Sequence, residues 1–172
     1  MSQNKLYIMC GLPFAGKTVL AKELAKRLGF VRIDLDEVKF ALFGKEMKDE
    51  EIDQSGWDKV YAGMYQRIEN NLRAGKTVVN DTDNFTKYER GLVRKITDKL
   101  GIESQVIFVD VPVKEARKRM LKNRQSGKRF DVSDEGLEST VKELEPPGKD
   151  EKTIIFRAGE VKDGWIKEHF KQ

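Results

Sequence analysis

CGLPFAGKTVLAKEL, residues 10–24, sets Gly11 and the triplet Gly16-Lys17-Thr18 apart by four residues. The apolar run LYIMC, 6–10, leads into it, and Val19-Leu20, Leu24 and Leu28 recur afterwards at helical spacing. A glycine-bearing turn between a strand and a helix lets backbone N–H groups close around phosphate oxygens. The dipole of the new helix adds to that attraction. The nucleotide-contacting segment therefore runs from Gly11 through Leu12, Pro13, Phe14, Ala15, Gly16, Lys17 and Thr18 to Val19. Lys17 has the reach for β- and γ-phosphates, and the Thr18 hydroxyl suits Mg²⁺. Pro13 and Phe14 can stiffen the turn without touching ligand.

The phosphate could serve mechanical work, a switch, or transfer to another molecule, and the loop does not choose. Length and composition narrow the field. The 172 residues suit one domain, 1–172, with a real core. Charged residues make up 36% of the chain but nearly cancel to +4, so net charge does not imply a nucleic-acid binder. Cys10 is the only cysteine, which forbids an intrachain disulfide and fits a reducing interior. The first residues lack a signal-peptide pattern, and no apolar run approaches the roughly 20 residues of a membrane span. The expectation is a soluble, cytoplasmic protein.

LYIMC at 6–10, TVVN at 77–80 and SQVIFVDV at 104–111 read as strands buried on both faces; FVRI at 30–33 and TIIF at 153–156 are shorter candidates. Helical patterns lie between them. Trp57, Val60, Tyr61, Met64, Tyr65, Ile68 and Leu72 form one apolar stripe, and Leu92, Val93, Ile96 and Leu100 another. Alternation of strand and helix predicts an α/β fold in three layers, with a mostly parallel five-stranded sheet between helices. Segments 43–56, 125–135 and 145–152 are the least regular. In such a sheet, ligands bind beyond the carboxyl ends of the strands, where loops gather.

Other clusters bear on the chemistry. A GTP switch needs a base-reading Asn-Lys-x-Asp after a late strand, and Asn4-Lys5 is misplaced and lacks the Asp. A motor ATPase needs a strand ending Asp-Glu, whereas VIFVD is followed by Val111-Pro112. RIDLDEVKF, 32–40, instead sets Asp34 and Asp36 after the second strand, beside the loop. A carboxylate there can take the proton of an acceptor hydroxyl. One of the pair is expected to cap the next helix, and Asp34 is assigned the cap and Asp36 the base. VVNDTDNF, 78–85, brings Asp81, Thr82, Asp83 and Asn84 to the same crevice, some of them as turn formers. EARKRMLKNRQSGKRF, 115–130, is strongly basic. Much of it must be solvated surface, but a lid at about 124–133 could deliver Arg124 and Arg129 to the phosphates. His169 reads as helix surface or packing, and Cys10 as core.

GLPFAGKT, DLDEVK (34–39), VVNDTDN (78–84), Arg90, VIFVDVPVKEARKRMLKNR (106–124) and ELEPPGKDE (143–151) together resemble the small P-loop kinases. That family includes polynucleotide 5′-hydroxyl kinases, zeta-toxin-like kinases and antibiotic phosphotransferases. The resemblance implies a P-loop NTPase fold and Mg-ATP-dependent transfer of the γ-phosphoryl group to a hydroxyl. It implies that Asp36 is the general base, Lys17, Arg124 and Arg129 assist catalysis, and the late segment EPPGKDE lies near adenine. Asp36, Lys39, Asp81, Asn84 and Arg90 are the residues expected to face the acceptor. The family's Asp-acid-x-Arg box is Asp36-Glu37-Val38-Lys39 here, and lysine cannot make the arginine's bidentate fork. Segment 43–56 adds Glu46, Asp49, Glu50, Glu51 and Asp53, an acidic wall that disfavours a polyanion. A small-molecule acceptor is expected over a polynucleotide. Two alternatives stand beside this one: a nucleotide-binding regulatory ATPase without transfer, and a toxin-like kinase controlled by a protein partner.

Overall fold

The computed structural model describes residues 4–128 and 131–170. Its centre is β1 (Lys5–Cys10), which pairs with β3 (Val78–Asp81) on one side and β4 (Glu103–Asp110) on the other. β2 (Val31–Asp34) and β5 (Ile154–Arg157) form the edges, giving the order β2-β3-β1-β4-β5. Every pairing is parallel. The expected sheet was mostly parallel; the described one is wholly so.

The apolar runs are continuous because helices cover both faces. Side chains alternate across a strand, so Tyr7 and Met9 face one layer while Leu6, Ile8 and Cys10 face the other. The first layer holds α1 (Lys17–Leu28) and α7 (Lys162–His169), with Leu20, Ala21, Leu24, Trp165 and Ile166 packed on β1 and β4. α5 (Val113–Ser126) joins it through Ala116. The second layer holds α3 (Gln54–Arg73) and α4 (Lys87–Leu100). α2 (Leu35–Phe43) packs against α3, while α6 (Asp134–Glu143) buries Leu137. No helix among the described residues is long and apolar enough to cross a membrane.

Two sequence expectations change. The stripe on α3 divides: Val60, Met64, Ile68 and Leu72 are buried in the core, whereas Trp57 and Tyr65 pack half-buried at its margin and Tyr61 is exposed. Their rings form a tilted ladder with centroids 6.4 and 6.2 Å apart. Successive residues stand about 100° apart around a helix, so Tyr61 and Tyr65 follow Val60 and Met64 at the margin of the core stripe. The segments thought irregular also hold more order. α6 begins inside 125–135, and single helical turns occupy Asp49–Glu51 and Lys149–Glu151.

Candidate active site

The turn after β1 closes tightly on β4. A Cβ at Gly11, whose φ is 147°, would sit 2.6 Å from the Val109 carbonyl oxygen, so only glycine fits. Phe14 lies in the left-handed region at φ 60°, unusual for an aromatic residue, and Gly16 follows at φ 106°. Leu12 and Ala15 are buried in the α1 layer and can offer a ligand only backbone. Val19 is exposed and does not line the cleft described below. No side chain caps the first turn of α1, whose N–H groups therefore face the loop's concavity.

Lys17 is folded back on this loop. Its Nζ donates to the carbonyl oxygens of Gly11 and Leu12 at 2.8 and 2.9 Å, and lies 3.1 Å from Asp83 Oδ1. The Thr18 hydroxyl donates to Asp81 Oδ1 at 3.3 Å. Asp81 and Asp34 are register partners at the ends of β3 and β2. Arg32, which sequence reasoning passed over, joins them: it meets Asp81 Oδ2 at 2.6 Å, Glu37 at 2.8 Å and Asp34 in a very short contact. A lone arginine in a short edge strand gave no pattern to find it by. Burial pushes the Asp81 carboxyl up from its ordinary value, against the downward pull of Arg32 and Thr18. Asp34 caps α2 by accepting from the Asp36 N–H at 2.9 Å, as expected.

These groups open on a cleft of about 450 Å³ at the carboxyl ends of the strands. Lys17, Thr18 and Asp81 line one side, Asp36 and Asp49 another, and Trp57 and Tyr61 the wall toward α3. Asp36 is solvent-facing, with 67% of its side-chain surface open. The cleft's walls still push its carboxyl up from the ordinary value, and Asp34, Asp49 and Asp83 add to this while Lys39 opposes it.

Other expected residues lie elsewhere. Lys39 is buried, with Nζ 2.6 Å from Asp49 and 3.9 Å from Asp36, and does not line the cleft. It compensates acids rather than facing an acceptor. Asn84 is buried too and borders a second cavity between α3 and α4 instead of this cleft; its Nδ2 donates to Met9 O, Asn80 Oδ1 and Thr82 O at 2.9, 3.1 and 3.2 Å, fixing the turn after β3 against β1. Arg90 is 0% exposed and cannot touch an acceptor. Its guanidinium forks onto Glu151 at 2.9 and 3.0 Å and donates to the Asn84 and Phe85 carbonyls. Burial alone would raise Glu151, but Arg90, Arg94 and the Gly148 N–H hold it at about 2. Arg124 is taken up by Asp131 at 3.1 Å, Asp134 at 3.0 Å and Val132 O at 2.8 Å, fastening the α5–α6 connection. Its charge is spent on that loop. Arg129 lies outside the described residues.

Arg119, one turn before Arg124, stands at the loop instead. It donates to Ala15 O at 3.0 Å and pairs with Glu115 at 2.9 Å. Sequence reasoning had it in the basic run but could not tell its helix face from its neighbours'. His169 packs on the Trp165 ring, 4.8 Å between centroids. Burial pushes the Cys10 thiol up to about 11, consistent with core.

The donor set fits Mg²⁺. Among the described residues no three or more His, Cys, Asp and Glu side chains gather as a metal cage. Mg²⁺ in nucleotide sites is held by one or two protein oxygens plus phosphates and water. Thr18 and Asp81 provide a hydroxyl and a carboxylate side by side.

Residues 6–147 match the model of a family described as AAA domain. No curated protein matches the chain. Among solved structures, a proposed kinase of Chloroflexus aurantiacus superposes with a TM-score of 0.78 at 18% identity, over 99% of this chain and 98% of its own. The APS kinase CysC of Mycobacterium tuberculosis, in complex with AMPPNP and APS, gives 0.70 at 17% identity, over 98% and 96%. A gluconokinase of Sinorhizobium meliloti gives 0.62 at 16%, over 96% and 89%. At these identities the likeness is one of fold.

Proposed function

Since the chain belongs to the AAA domain family and has the fold of small P-loop kinases, we propose that it transfers the γ-phosphoryl group of ATP to a hydroxyl of a small molecule. The observation that supports this most is the meeting, in one cleft, of Lys17, Thr18 and Asp81 with an Asp36 carboxyl of raised pKa. Phosphoryl transfer asks a protein chiefly for positioning and charge stabilisation. The loop N–H groups and Lys17 receive the phosphates, and Arg119 stands near enough to swing onto them. Thr18 and Asp81 are the residues that would hold Mg²⁺. Held there, it would supply positive charge against the phosphates. Asp36 accepts the proton of the acceptor hydroxyl as that hydroxyl's oxygen bonds to the γ-phosphorus. The bond from phosphorus to the β–γ bridging oxygen breaks, and ADP leaves.

Substitution separates the steps. Wild type should gain about 2.7 kcal/mol of stability from Mg-ATP at a hundredfold excess over Kd, and Lys17→Ala should lose most of that gain with the fold intact. Asp36→Asn should keep the nucleotide shift while transfer falls by roughly 10²–10⁴. A wild-type melting curve unmoved by millimolar Mg-ATP would refute the reading. Nucleotide binding without transfer to any hydroxyl would favour a regulatory nucleotide-binding protein.

A further inference from the structure

A second cavity, about 540 Å³, lies between α3 and α4 and shares Tyr61, Thr82 and Asp83 with the nucleotide cleft. Its size is that of a small-molecule site. Tyr61, Tyr65 and Tyr88 give it aromatic walls, and Met64 and Leu92 contribute apolar surface. Its charged lining residues are Asp58, Asp83 and Glu89, all acids; no lysine, arginine or histidine lines it among the described residues. Asp58 accepts from the Gln54 amide, at 2.8 Å, and Glu89 from the Thr86 cap, at 2.8 Å, and among the described residues these bonds orient both without neutralising them. Asp83 pairs with Lys17, the group that phosphate claims.

Resting on the kinase reading above, we propose that this cavity seats the body of the acceptor, with its hydroxyl reaching past the shared Thr82 and Asp83 into the cleft that Asp36 lines, and that the acceptor is a hydroxylated organic cation, an amine or quaternary ammonium. Aromatic faces attract a cation through their quadrupole, and the all-acidic charged lining adds to that attraction. Burial, then Glu89 and Asp83, push the Tyr61 phenol up, and burial, then Glu89, does so for Tyr65. A phosphorylated or polynucleotide acceptor meets only repulsion here. The shared Asp83 also couples the two sites. When phosphate takes Lys17, the Asp83 carboxylate is released beside the cavity, so nucleotide should tighten the cation and the cation tighten nucleotide by the same factor.

The test pairs probes that differ by one charge: choline against 3,3-dimethylbutan-1-ol, and glucosamine against glucose. A 5′-hydroxyl oligonucleotide is the anionic control. Calorimetric titration into the full chain, with and without Mg-AMPPNP, should show at least one cation binding about tenfold tighter than its neutral partner. That preference should be larger with nucleotide and shrink in Tyr61→Leu and in Asp58→Asn/Asp83→Asn. Equal binding of each pair, tighter binding of the oligonucleotide, or a preference unchanged in both variants would each overturn the proposal. Because titration without nucleotide needs no transfer, its result stands apart from that of the Mg-ATP melting shift.

Discussion

Lys17 and Asp36 face each other across the cleft, and each is prepared by its neighbours. The loop carbonyls and Asp83 hold the Lys17 ammonium where phosphate must replace them. Asp36 carries a carboxyl pushed upward by its walls and by three nearby acids. A raised pKa makes it a stronger base, and the base must be ionised to act. Turnover should therefore fall as pH drops through the raised value, and a kcat–pH profile of Asp36→Asn should lack that limb. Arg119 and Arg124 make a second contrast. Arg119→Ala should lower kcat several-fold with little change in the nucleotide melting shift, because a charge at the loop counts most as transfer proceeds. A kcat unchanged in that variant would place Arg119 as a mere loop support. Glycine spacing and the order of acids made Lys17, Thr18 and Asp36 legible in sequence. Arg119 was not, since adjacent basic residues on a helix share composition and differ only in azimuth.

At the level of elements, α4 is bolted to the turn Lys149–Glu151 by a fully buried ion pair. Arg90 and Glu151 stand 61 residues apart in the chain, and the guanidinium donates two hydrogen bonds to the carboxylate. Removing one partner of such a pair leaves a stranded charge. Glu151→Gln should cost about 3–5 kcal/mol in urea melts, with Arg90→Met/Glu151→Leu less damaging than the single change. The pH dependence has a definite sign. Glu151 falls from an ordinary 4.5 to about 2 in the folded protein. Its contribution is then complete above about 4.5 and is lost as pH falls toward 2, so acid melts of wild type should lose stability across that window. Arg90 could be read from sequence only by analogy, as an acceptor group. Its true partner lies too far along the chain for any local pattern to show. α5 offers a parallel case: Arg124, expected from sequence as a lid arginine, pairs with Asp131 and Asp134 and fastens the α5–α6 connection. Arg124→Ala should raise amide hydrogen exchange in 131–134.

For the molecule as a whole, sheet and cleft follow from one arrangement. Strands run in parallel, so the turn after β1 and the acids ending β2 and β3 arrive at one edge. Unbroken apolar runs announced buried parallel strands because both faces are covered, and alternation with helices announced the layers. The aromatic ladder on α3 stayed hidden in its own stripe, since periodicity marks an apolar side without saying whether core or cavity lies against it. The strand order also governs how the chain must be made. β1 is synthesised first yet sits in the middle, and its two partners begin only at Val78 and Glu103. Until residue 110 has left the ribosome, a six-residue strand of buried type travels with at least one open edge. Non-local parallel pairing is slow to form and exposed to aggregation meanwhile. Translation speed and chaperone supply over the first two-thirds of the chain should therefore govern the yield of folded protein more than the stability of the finished sheet.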